Sequence, residues 1–162
     1  MTGVTTSRHY LELSVFPTSP YYARVHVRRV LEGWRRDDLV ETAQLLVSEL
    51  VSNAVKAHTS SSAATETAAH ASPDHIWMDL YRTDAAVVLR VWDGSRTPPV
   101  RRTPDPDDEG GRGLCLVDLL ANGWGYYRPV SGGKIVWCTL VAPPVLPGEG
   151  AERSPLWGRP PA

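Results

Sequence analysis

Hydrophobic and polar positions along this chain switch several times between the two-residue period of strands and the three-to-four-residue step of helices. The run YLELSVF, Tyr10 to Phe16, alternates and predicts a first strand. Ser19 as N-cap, with Pro20 at the first helical position, predicts a helix to about Trp34. Val27, Val30 and Leu31 lie on one face of it. Asp37 or Asp38 opens a longer helix through about Ala57. There Leu39, Ala43, Leu46, Leu50 and Ala54 form one apolar stripe. The stretch from His58 to Ser72 is rich in Ser, Thr and Ala and reads as a loop. HIWMDLYR (75–82) and AVVLRVW (86–92), joined by Thr83-Asp84, predict an antiparallel hairpin. Arg96 to Glu109 carries Pro98, Pro99, Pro104 and Pro106 among charges and reads as a lid. Gly110 to Gly113 ends it, and a short helix from Leu114 to Leu120 follows, stopped by Asn122-Gly123. Trp124 to Arg128 and Lys134 to Val141 predict a second hairpin around Ser131-Gly132-Gly133, with Lys134 as a solvated lysine beside the turn.

This order predicts an α+β two-layer sandwich, with a mixed, mostly antiparallel sheet and helices on one face. Residues 1–142 form the domain. Residues 143–162 are dominated by Pro, Gly and Arg and are expected to be disordered.

Composition narrows the function classes. A length of 162 residues suits one domain with a real core. The net charge of -1 gives no strong pull toward nucleic acid or anionic lipid, so neither is an expected partner. Of the 17 basic residues only Lys56 and Lys134 are lysines, a bias that GC-rich codons would produce. Cys115 and Cys138 sit in apolar runs and read as buried, inert thiols of a reducing compartment. No apolar run reaches the ~20 residues needed to span a bilayer, and the N-terminus lacks a basic-then-apolar leader. A cytoplasmic location is expected.

Three segments can carry chemistry. Glu49 and Asn53 are four apart on the second helix and share a face. Such pairs are common on exposed helices, but an Asn carbonyl oxygen also suits Mg²⁺, which takes few protein ligands and fills the rest with water and phosphate. Asp93-Gly94 follows a strong strand. It reads equally as a turn or as a carboxylate placed to accept an adenine amino hydrogen. Glu109-Gly-Gly-Arg-Gly-Leu114 puts three glycines before a helix, where backbone can approach phosphates. Arg112 could add a charge-assisted contact there. No Walker A or G-x-G-x-x-G fingerprint occurs. The five histidines show no metal-ligand spacing.

Taken in order, helical E-L-V-S-N-A (Glu49 to Ala54), Asp93-Gly94 after a strand, a lid, and G-R-G-L (Gly111 to Leu114) resemble the GHKL ATPase/kinase superfamily. Within it the chain is similar to small actinobacterial serine kinases that act as anti-sigma factors, including the closing hairpin Gly132 to Leu140. The resemblance spans about Leu11 to Val141. It implies a Bergerat-type sandwich that binds ATP and Mg²⁺. By it, Asn53 would hold Mg²⁺ and phosphates, Asp93 and Gly94 would border adenine, and Gly111, Arg112, Gly113 and Leu114 would form the phosphate-facing turn. Glu49 would be the catalytic base. The implied partners are a STAS-type anti-sigma-factor antagonist and a sigma factor, and homodimers occur among similar proteins. The familiar adenine motif Asp-x-Gly-x-Gly is altered here, since Gly94, Ser95, Arg96 and Thr97 follow Asp93. Two readings stay open: a serine/threonine kinase, and a non-catalytic ATP-responsive module that controls a partner. A split histidine kinase is disfavoured, because no helical hairpin with a phospho-acceptor histidine accompanies the domain.

Overall fold

A computed structural model describes residues 9–63, 75–99 and 113–141. The elements run β1 (His9–Ser14), α1 (Ser19–Gly33), a 3₁₀ turn (Asp37–Leu39), α2 (Val40–Ala63), β2 (His75–Arg82), β3 (Val87–Asp93), α3 (Gly113–Leu120), β4 (Gly123–Tyr127) and β5 (Lys134–Leu140). The sheet has five strands in the order β1-β2-β3-β5-β4, and every neighbouring pair is antiparallel. The three helices lie on one face, which makes the α+β two-layer sandwich expected from the pattern.

Alternation decides which side chains meet the helices. Ile76, Met78 and Leu80 of β2, Val87, Leu89 and Val91 of β3, and Val136, Cys138 and Leu140 of β5 point inward. They meet Leu46, Val47, Leu50, Val51 and Ala54 of α2, and Val27, Val30 and Leu31 of α1. At the seam between the helices the Arg24 guanidinium donates to Ser48 Oγ at 2.9 Å, and the Gln44 amide donates to the Arg24 carbonyl at 3.2 Å. Cys138 lies fully inside, and burial pushes its thiol up to about 12. Cys115 is half-buried rather than buried.

Several boundaries differ from the sequence expectation. Ser19 is the first residue of α1, and Thr18 occupies the N-cap without a side-chain bond. Ser19 Oγ instead donates to the Ser14 carbonyl and accepts from the Phe16 N–H, which ties the β1–α1 turn. Asp37 and Asp38 open a 3₁₀ turn ahead of α2, where Asp38 pairs with Arg36 at 2.9 Å. The largest correction is α2, which continues through His58 to Ala63 where a loop was expected. A helix already nucleated extends cheaply over residues of moderate propensity. The Thr59 hydroxyl also donates back to the Val55 carbonyl at 3.0 Å, so it competes little with the helix. The remainder of that expected loop, most of the expected lid and the tail after Val141 lie outside the described residues.

Candidate ATP site

Glu49 and Asn53 sit one turn apart on one flank of α2, beside the buried stripe. Both are half-buried. Neither makes a side-chain hydrogen bond or ion pair among the described residues. Asn53 thus offers an uncommitted carboxamide oxygen, and Glu49 an uncommitted carboxylate. Hard oxygen donors of this kind fit Mg²⁺ carried in with phosphates. No cluster of three or more His, Cys, Asp or Glu side chains among the described residues offers another metal set.

Asp93 is the last residue of β3. It shares the parity of Leu89 and Val91, so its carboxylate points to the helix side of the sheet. It is 2 % exposed. Its Oδ1 accepts the Ser95 N–H at 2.9 Å, which closes a tight turn through Gly94. The same oxygen accepts from Lys134 Nζ at 2.8 Å. Burial raises the Asp93 pKa above the usual carboxylate range, while Lys134, the Ser95 N–H and nearby His58 of α2 pull it back.

Lys134 corrects the sequence reading: it is not solvated but 4 % exposed and committed to Asp93. The register explains why, since Asp93 and Lys134 are direct partners across β3 and β5. Parity in β5 carried the signal, because 134, 136, 138 and 140 share a face and the last three are core. The turn before Lys134 is built to fit. Gly133 has φ +70, and a Cβ there would meet the Asp93 carbonyl oxygen at 2.3 Å and the Trp92 indole at 2.8 Å. The Trp92 indole N–H in turn donates to the Gly132 carbonyl at 2.9 Å. Glycine is therefore required at 133 by both conformation and space.

Gly113 begins α3, and the Leu114 side chain is core. Any contact of Leu114 with a ligand would come from its backbone. Gly111 and Arg112 lie outside the described residues. Helix α3 packs on α2, and α2 packs on β3, so α2 is the element that links the three sequence segments.

Residues 16–140 match the family model of the histidine kinase-like ATPase domain. No match among curated proteins accompanies it. The match takes in both flanks of the site, from α1 to the end of β5. It agrees with the helices-on-one-face sandwich and implies ATP as the ligand. The chain belongs to the histidine kinase-like ATPase domain family.

Proposed function

We propose that this protein binds Mg-ATP at the face shared by α2, the end of β3 and the start of α3, and acts as an anti-sigma-factor-type serine/threonine kinase. Its substrate is a STAS-type antagonist, and a sigma factor is the second partner. The observation that carries this reading is Asp93, a buried carboxylate held at a strand end on the helix side, in a chain of an ATPase family. Such a carboxylate selects adenine because it can only accept, and the adenine amino group donates.

Asn53 would hold Mg²⁺ through its carboxamide oxygen. Bound Mg²⁺ supplies neutralisation of phosphate charge. The first turn of α3 directs its N–H groups toward the helix N-terminus, which favours an anion, and the glycines at 111 and 113 would let backbone come close. Glu49, one turn before Asn53, is the base that accepts the proton of a seryl hydroxyl. A positioned base is worth roughly 10² to 10⁴ in rate. A cytoplasmic site of action fits these partners.

The test uses γ-labelled ATP and a cognate STAS protein. Label moves to the STAS serine with the wild type. Glu49→Ala loses about 10² or more of that transfer and still binds ATP. Equal transfer by the two proteins sinks the base assignment. Binding without transfer by the wild type turns the conclusion to the ATP-responsive module, in which Asp93, already engaged by Lys134, reports nucleotide to a partner surface.

A further inference from the structure

The two oxygens of the Asp93 carboxylate are not equivalent. A carboxylate has about four lone-pair positions, divided between its two oxygens. Oδ1 accepts the Ser95 N–H at 2.9 Å and Lys134 Nζ at 2.8 Å, which fills both of its positions. Among the described residues Oδ2 accepts no hydrogen bond. Three features build this asymmetry. The turn through Gly94 aims the Ser95 N–H at Oδ1, and Ser95 Oγ accepts the Thr97 N–H at 3.2 Å, so the chain after β3 folds back on the carboxylate. Lys134 is the direct partner of Asp93 across β3 and β5, and it shares the parity of Val136 and Cys138, so its stem starts on the same face as the carboxylate. On the outer face of the sheet, away from the helices, the Trp92 indole N–H donates to the Gly132 carbonyl at 2.9 Å and holds the turn that delivers Lys134.

The number of open acceptors bears on the choice of base. An accepting carboxylate alone does not separate the purines. Adenine donates from its 6-amino group, and guanine donates from N1–H and its 2-amino group side by side. Two adjacent donors pair best with both oxygens of one carboxylate, as the fork of a guanidinium does. A single amino donor needs one oxygen. A donor left without an acceptor in a closed site costs affinity. We propose that Lys134 is a positioning residue that sets base specificity: by filling Oδ1 it leaves Asp93 one accepting oxygen, which fits a 6-aminopurine nucleotide and rejects a 2-amino-6-oxopurine nucleotide. This role rests on Asp93 being the base-facing group of the proposed ATP site. It assigns the choice of base to a lysine on a different strand, which acts through Asp93 and needs no contact with the nucleotide.

Calorimetric titration of ATP, ITP and GTP, each with Mg²⁺, into the full chain tests this role. ITP differs from GTP only in lacking the 2-amino group, so the pair reads the second acceptor by itself. For the wild type, GTP is expected to bind about tenfold or more weakly than ATP and no more tightly than ITP. GTP binding as tight as that of ATP, or about tenfold tighter than that of ITP, overturns the proposal while the ATP site stands. Absence of ATP binding overturns the ATP site and this role with it. Lys134→Met opens Oδ1, and in that variant GTP is expected to gain about tenfold over ITP. General damage to the site weakens all three nucleotides in proportion. An unchanged ratio of GTP to ITP affinity in a variant with wild-type circular dichroism therefore overturns the proposal. The wild-type comparison decides the matter even where the variant fails to fold.

Discussion

Asp93 and Lys134 face each other across two strands, and in the proposed site their pairing would govern the acid side of nucleotide binding. Burial holds the folded pKa of Asp93 above its unfolded value. That carboxyl therefore favours folding below its unfolded pKa, and the contribution is lost as pH rises through the folded value. The ionised form, which in the proposed site would accept from adenine, is by the same shift lost on acidification at a higher pH than for a solvated Asp. Lys134→Met removes a group that opposes the shift, so the acid limb of ATP affinity should move upward. Calorimetric titrations across pH check this, and an unmoved limb contradicts it. Lys134→Met also leaves a buried carboxylate unpaired, a change worth about 3–5 kcal/mol of stability. Gly133→Ala should cost about 2 kcal/mol, from the left-handed backbone alone, read as a lowered urea midpoint. Asp93 was legible as a strand-end carboxylate. Lys134 was not, because Gly-Gly-Lys has the composition of an exposed turn, and only its register with Asp93 commits it to the interior.

At the level of elements, β2, β3 and the α2 stripe stand close to where periodicity places them, since each repeats its apolar period several times. The end of α2 was illegible, because Ser, Thr and Ala punish neither helix nor loop, and attachment to a packed helix decides. Ser19 misled for a related reason. Its hydroxyl satisfies the β1–α1 turn rather than the helix end, a tertiary choice that local pattern does not encode. The Asp79–Arg90 pair on β2 and β3 allows a test of how dry the outer face is. Arg90→Met strands Asp79 and should destabilise by about 3–5 kcal/mol, whereas Asp79→Leu/Arg90→Met together should be near neutral or stabilising. Urea melts of the single and double variants separate these outcomes. Equal small losses for both would mean that the pair is wet.

For the whole molecule, the family match and the five-stranded antiparallel sandwich agree with the order of segments read from the sequence. No helix among the described residues is long and apolar enough to cross a membrane. Fold class was legible because the sequence of strand, two helices, hairpin, helix and hairpin restricts how layers can form. The doubly buried β5 was legible as a continuous apolar run but was read as an ordinary hairpin strand, since the pattern does not say what lies on each face. The central claim is that this fold binds Mg-ATP through the carboxylate at the end of β3. It is tested most directly by titrating Mg-ATP into the full chain and into Asp93→Asn by calorimetry. Saturable binding by the wild type, weakened about tenfold or more in the variant through loss of a charged hydrogen bond, is the predicted result. No binding by the wild type, or equal binding by the two proteins, would contradict it.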